Sequence, residues 1–351
     1  LMPINIESNE NEFQELTIPA VEIKDSPRFA YRGMHLDVGR HFFSVSDVKK
    51  YIDLIAMHKM NTFHWHLTED QGWRIEIKKY PRLTEIGAYR KGTAIGLAGT
   101  RNAPYTYDTI PYGGFYTQEE IKEVVAYAKA RFIEVIPEVD VPGHSLAMNT
   151  AYPFLSTTPN YPFQVNAGDE FMDWEGLNGH VAAKIDNSLD PSNETVYEYL
   201  DKIFGEMAPL FPFEYIHMGA DENPKNNWEK SPNVQALMKK EGLKDMNEVQ
   251  SYFVRRVQKI INSKGKKMMG WEEPRDARIK ARLTAPVKGG HKRQNFLWGE
   301  IGVANGILTF TPSQRQFSGQ NRSMQRGGAL LPMPIGGPDL TDGDEVEIIM
   351  L

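Results

Sequence analysis

Tyr31-Arg-Gly-Met-His-Leu-Asp-Val38, then Ser46 to His58, then Asn61-Thr-Phe-His-Trp-His-Leu-Thr68 follow one another in the chain, and their order decides the fold. The first and third stretches are short runs dense in apolar and aromatic residues and read as strands. The middle stretch carries apolar residues at helical spacing, and Ser46 is expected to cap its first turn. Downstream the alternation repeats. Thr117-Gln-Glu-Glu120 has capping-box spacing and opens a helix to about Arg131, and Phe132 to Val139 is an apolar strand ending in Asp140. A helix from Glu194 to Met207 leads to a strand from Glu214 to Met218. Helices near Val234 to Lys240 and Asn247 to Ser263 precede a fifth strand, Lys266 to Gly270.

Apolar strands joined by helices imply parallel pairing with both sheet faces covered. Five such units, with long loops from Gly72 to Phe115 and from Pro142 to Pro191, predict an α/β fold of the (β/α)8 TIM-barrel type. Its active site is expected at the C-terminal strand ends. The last quarter breaks the rhythm. Only 27 residues separate Trp271 from Trp298, whereas one βαβ unit takes about 30 or more. The barrel is therefore expected to be incomplete at strands six to eight, with residues 26–310 forming it. Residues 311–351, rich in Gly, Gln, Ser, Pro and Arg, are expected to be an irregular or disordered tail.

Composition narrows the classes of function. The chain of 351 residues has no cysteine, which excludes disulfides, thiolate metal sites and a cysteine nucleophile within it. A net charge of −6 gives no reason to expect nucleic acid as a partner. No run approaches the length of about 18 to 20 apolar residues that a membrane span needs. Leu1 to Glu15 lack a basic stretch followed by an apolar core, so no signal peptide is read there, and a chain opening on Leu is expected to continue upstream.

Four predicted strand ends carry polar clusters: Asp37–Arg40–His41, His64–His66–Glu69–Asp70, Glu138–Asp140–His144 and His217–Asp221–Glu222. Trp73, Trp228, Trp271 and Trp298 lie on or near similar loops. Carboxylates and indoles converging on a barrel mouth suit a sugar, because carboxylates transfer protons and indoles stack on apolar ring faces. Adjacent Asp221 and Glu222 repel, which favours a raised pKa for one of them, useful to a general acid. Adjacency also limits how well the pair can flank one bond as acid and nucleophile, a difficulty that a substrate group acting as nucleophile would remove. Asp140 and His144 suggest a carboxylate–imidazole relay that tunes Glu222. His64-x-His66 on one strand face admits a rival reading as metal ligands, with Asp140, His144 or His217 as a third, beside the plainer one of packing inside the barrel.

The stretches Tyr31 to His41, His64-Trp-His-Leu-Thr-Glu-Asp-Gln-Gly-Trp-Arg74, Pro137-Glu-Val-Asp-Val-Pro-Gly-His144, His217-Met-Gly-Ala-Asp-Glu222 and Gly270-Trp-Glu-Glu273 together resemble glycoside hydrolase family 20, the β-N-acetylhexosaminidases. The likeness covers roughly residues 20 to 273. It implies that Glu222 protonates the glycosidic oxygen and that Asp221 orients the substrate's 2-acetamido group. The acetamido oxygen then attacks the anomeric carbon, and configuration is retained. It implies that Arg40 grips sugar hydroxyls, that Trp271 and Trp298 wall the acetamido pocket, and that Glu300 binds distal hydroxyls. Glu69, Asp70, Asp140, His144 and His217 are implied partners behind these groups. Three departures stand out. Glu69 replaces an expected aspartate, Ala220 replaces a frequent glycine, and the tyrosine–aspartate pair after strand seven has no clear counterpart, with Thr284-Ala-Pro286 read as a remnant of that strand. Residues 1–25 resemble the end of a preceding small α/β domain or a linker.

The activity implied is an exo-acting hydrolase, without metal or organic cofactor, that releases terminal β-linked N-acetylglucosamine or N-acetylgalactosamine. Its partner would be an oligosaccharide or glycoconjugate with a terminal N-acetylhexosamine. A periplasmic, secreted or lysosomal location is expected from the resemblance alone. Two rivals remain: an inactive sugar-binding relic with an incomplete barrel, and a metal-dependent hydrolase built on His64 and His66.

Overall fold

The structure is a computed structural model that describes residues 20, 22, 24–96, 106–168, 170–173, 182–271, 278–289, 295–304, 307–313, 329–333 and 336–350. Five strands form one parallel sheet in chain order: β1 (Gly33–Asp37), β2 (Thr62–His66), β3 (Glu134–Glu138), β4 (Tyr215–His217) and β5 (Lys267–Met269). The longest helices between them are α1 (Val45–Met57), α2 (Gln118–Lys129), α3 (Glu194–Met207) and α4 (Met246–Ser263), with shorter ones such as Pro232–Glu241 beside them. The α/β reading therefore holds through Trp271. The register pairs His35 with His64 and His66 with Glu138, so the polar residues at successive strand ends sit side by side.

Local sequence accounts for these elements. In α2, Thr117 accepts from the Glu120 N–H while the Glu120 carboxylate takes the Thr117 N–H, the predicted capping box. In α1 the cap is Ser44, whose hydroxyl accepts from the Asp47 N–H. The expected cap, Ser46, instead shares a 2.8 Å hydroxyl contact with Ser44. Val48, Ile52 and Ile55 from α1, Val196, Leu200, Ile203 and Phe204 from α3, and Phe253, Val257 and Ile261 from α4 are buried in the core that also takes Phe63, Trp65, Val135 and Ile216 from the strands.

The last part of the chain is not the expected tail. Strands β6 (Arg278–Leu283), β7 (Asn295–Ala304), β8 (Ile307–Pro312), β9 (Ala329–Met333) and β10 (Glu345–Met350) close into a barrel in the order β6-β8-β7-β9-β10. Its pairs are antiparallel apart from β6 with β8. Ala281, Leu283, Phe310, Leu331, Met333, Val346 and Ile348 fill a core separate from that of the parallel sheet. Strand β8 thus runs across the boundary expected at residue 310. Thr284-Ala-Pro286 leaves β6, with Thr284 Oγ1 2.7 Å from Thr311 Oγ1. Residues 314–328 of the expected tail, and residues 1–19 of the expected preceding domain, lie outside the described residues.

Candidate active site

The loops that follow β2, β3 and β4 bring the predicted carboxylates together. Glu69 is buried, and its Oε1 lies 2.8 Å from His144 Nδ1. The other His144 nitrogen, Nε2, faces Glu222 Oε2 at 3.8 Å. Arg40 Nη2 approaches Glu69 Oε2 at 3.5 Å, and Arg40 Nη1 holds Asp37 at 2.5 Å. Asp70 accepts from the Leu146 N–H at 2.9 Å and from the Asn187 amide at 3.0 Å. These groups line a cavity of about 100 Å³ with Gln71, Phe171 and Met172. A groove of about 770 Å³ lined by Tyr80, Tyr197, Tyr252 and Arg256 is larger, and there Arg256 is paired with Glu194 and stacked on Tyr197.

Backbone strain marks the same place. His144, Ala220 and Glu222 adopt φ of 50°, 76° and 44°, in the left-handed region that side chains with a β-carbon disfavour. Gly219, at φ 65°, could carry no β-carbon, which would lie 1.8 Å from Asp140 Oδ1. That approach lets Asp140 accept from the Ala220 N–H at 3.0 Å. The turn leaves Asp221 partly buried, with its Oδ1 enclosed and without a hydrogen-bond partner among the described residues, and Glu222 58% exposed.

Burial and mutual charge set the electrostatics. Burial would raise the Glu69 carboxyl, yet the His144 and His66 imidazoles beside it hold it well below the usual range. Burial would lower His144, but Glu69 and Asp140 reverse the sign and raise it well above an ordinary imidazole. Burial, followed by the charge of Glu69, pushes Asp70 up to about 6. Asp140 is raised well above the ordinary aspartate value, by burial first and, among the charges around it, by Asp221 and Glu138 against the opposing pull of His144.

His64 and His66 do not converge on one ion site. Among the described residues, the triads whose ligand atoms lie within 4.8 Å place His64 with His35 and Glu138, and His66 with Glu69 and Asp140. His64 Nε2 stands 2.7 Å from Glu138 Oε2, closer than the separation of about 3.3 Å that two ligands on one tetrahedral zinc would keep. That spacing is one of charge pairs, and the His64–His66 metal reading loses its shared site.

Two predicted residues fall on strands of the small barrel. Trp298 and Glu300 lie on β7, in register with Leu330 and Thr311 of the small barrel, because the chain after Trp271 pairs as antiparallel strands instead of continuing the βα rhythm. Trp271 does follow β5, but it lies over His64 with ring centroids 5.3 Å apart and is not part of the cavity wall. His217 sits beneath the acid turn, where its Nδ1 accepts from the Gly219 N–H at 3.1 Å.

Two supporting residues received no role from sequence. Arg74 is fully buried and donates to the carbonyls of Val38, Gly39, Ala88 and Gly114 at 2.6–3.0 Å, stitching the loops around the cavity. Burial, with Arg90 nearby, lowers it to about 10. A charged residue between Trp73 and Ile75 was the available signal. Glu138, the last residue of β3, is the second.

The comparisons with known proteins show the family of the chain. The model of glycosyl hydrolase family 20, catalytic domain, matches residues 29–288, and the chain belongs to that family. It is 44% identical over 274 residues to a beta-hexosaminidase of Porphyromonas gingivalis, covering 78% of this chain and 32% of that protein. A beta-hexosaminidase of Vibrio furnissii is 46% identical over 258 residues, covering 74% and 39%. Among solved structures, the family 20 exo-β-N-acetylglucosaminidase of Vibrio harveyi in complex with N-acetylglucosamine superposes with a TM-score of 0.58 at 46% identity, over 71% of this chain and 36% of that one. The chain thus spans between about a third and two-fifths of the length of these relatives.

Proposed function

We propose that the chain carries the catalytic site of a retaining exo-β-N-acetylhexosaminidase, hydrolysing terminal β-linked N-acetylglucosamine or N-acetylgalactosamine with the substrate's acetamido group as nucleophile. The observation that carries the reading is the line Glu69–His144–Glu222 beside an enclosed Asp221 oxygen that lacks a partner among the described residues. In this reading Glu222, the exposed member, donates a proton to the glycosidic oxygen. The His144 imidazole, held by Glu69, faces the carboxylate that forms. The Asp221 carboxylate accepts from the acetamido N–H, an interaction that turns the amide oxygen toward the anomeric carbon. Oxazolinium formation follows, and Glu222 then takes a proton from the incoming water. Arg40, between Asp37 and Glu69 at the cavity rim, binds hydroxyls. The parallel sheet corresponds to the first five strands of an eight-stranded barrel.

One observation favours a second reading, the sugar-binding relic. Among the described residues β1 and β5 are both open edges of the sheet, and the strands that follow enter the small barrel. The two readings part on substrate comparison. The 351-residue chain is expected to cleave the p-nitrophenyl β-glycoside of N-acetylglucosamine, with retained configuration and no effect of chelator, and to leave the β-glucoside intact. Equal cleavage of the glucoside would remove the acetamido nucleophile, and a folded chain inert to both would favour the relic.

A further inference from the structure

We infer that Glu138 is a positioning residue that ties the indole of Trp271 to the imidazole–carboxylate chain standing behind Glu222. The inference deepens the proposed function and takes from it the assignment of Glu222 as acid.

Glu138 ends β3 with no exposed surface. Its Oε1 accepts from the Trp271 indole N–H at 2.7 Å. Its Oε2 lies 3.0 Å from His66 Nδ1 and 2.7 Å from His64 Nε2. On its far side His66 presents Nε2 to Glu69 Oε2 at 3.3 Å, and Glu69 holds His144, which faces Glu222. Carboxylate and imidazole therefore alternate from Trp271 to the acid: Glu138, His66, Glu69, His144, Glu222. β1, β2, β3 and β4, with the loops after β2, β3 and β4, each supply part of this line or of its surroundings.

A fully buried carboxylate is costly unless positive charge faces it. The groups that face Glu138 are His35 from β1 at 3.7 Å, His64 and His66 from β2, and His217 from β4 at 3.3 Å. His217 Nδ1 already accepts from Gly219, which leaves it no proton for Glu138. Asp140, Glu69 and Arg40 complete the charged surroundings. His66 alone lies between two carboxylates, and burial, which would lower it, is overcome by Glu138 and Glu69, so it is raised well above an ordinary imidazole. His64 is lowered by its burial. The countercharge of Glu138 is thus carried by His66.

The indole needs the same carboxylate. Trp271 is 38% exposed, and among the described residues its ring also meets His64 at 29° between planes, His217 at 61° and His35 at 67°. Those contacts permit sliding, whereas the N–H to Glu138 fixes direction. One side chain therefore sets the orientation of the tryptophan after β5 and the charge state of the imidazole next to Glu69.

The test compares the full chain with Glu138→Gln, which keeps an acceptor for Trp271 and loses the charge, and Glu138→Leu, which loses both. Nitrogen-15 spectra of the imidazoles and indoles are read alongside the pH–rate profile on the p-nitrophenyl glycoside. In the unsubstituted chain His66 is expected to keep its second proton to higher pH than an ordinary imidazole, and to lose it at lower pH in either variant. The Trp271 N–H is expected to exchange with solvent about tenfold faster in Glu138→Leu and at an unchanged rate in Glu138→Gln. The rate is expected to fall about tenfold or more in Glu138→Gln with a displaced alkaline limb and little change in KM, while KM rises as well in Glu138→Leu. A purely structural residue would lower activity evenly at all pH values. Unchanged His66 charge and Trp271 exchange in folded variants overturn the inference. If the unsubstituted chain hydrolyses nothing, the proposed function fails, and the spectra alone still decide for or against Glu138.

Discussion

At the scale of single residues, the acid turn stores strain that a substitution can release. Ala220, at φ 76°, stands where a glycine would carry no β-carbon penalty. Ala220→Gly is expected to stabilise the chain by about 1 kcal/mol in denaturant unfolding, and a destabilisation would contradict the strain assigned to this turn. The imidazoles make a second prediction. His66 and His144 are both raised in the fold above the ordinary value of 6.5, so above that pH the folded state binds more protons than the unfolded one. Stability contributed by these two residues is full below 6.5 and is lost as pH rises through their folded values. The melting temperature is expected to fall from pH 6.5 toward alkaline pH, and to fall less in Glu138→Gln; a flat profile would refute the charge assigned to His66. The carboxylates and His144 of the cavity were legible in sequence because each follows an apolar strand directly. Glu138 was marked in its strand-end cluster but without a role, and Arg74 was not singled out, because sequence marks a charged residue as polar without saying that it is buried, and only packing reveals that their partners are carbonyls, imidazoles and an indole.

At the scale of elements, strand–helix alternation carried the reading wherever local signals agreed with packing. α2 shows this: its apolar positions Ile121, Val124 and Ala128 are buried, and its capping box is formed. Thr117→Ala is expected to cost about 1 kcal/mol, measured by chemical denaturation, and a loss under a few tenths would mean that tertiary packing alone holds the helix end. In α1 two serines compete near the start, and periodicity could not choose between Ser44 and Ser46. The antiparallel strands were missed for a related reason. β7 reads Asn295-Phe-Leu-Trp-Gly-Glu-Ile-Gly-Val-Ala304, where three consecutive apolar residues and two glycines blur the period of two on which a strand reading depends. The spacing of Trp271 and Trp298 correctly indicated too little chain for ordinary βα units. It could not say what took their place.

At the scale of the whole molecule, two cores divide the described chain, one around the parallel sheet and one inside the small barrel. Phe310 is fully buried in the second. Phe310→Ala is expected to cost the barrel about 3 to 5 kcal/mol. In calorimetry it should lower one unfolding transition and leave that of the parallel-sheet part in place; a single transition shifted as a unit would show that the two cores unfold together. The family match ends at residue 288, so the resemblance that places the acid at Glu222 speaks for the parallel sheet and for little of the barrel. The measurement that tests the account most directly is hydrolysis of p-nitrophenyl N-acetyl-β-glucosaminide by the 351-residue chain and by Glu222→Gln. The account predicts turnover in the first and a loss of about a hundredfold or more in the second, with ligand binding kept. Turnover undiminished in Glu222→Gln would contradict it.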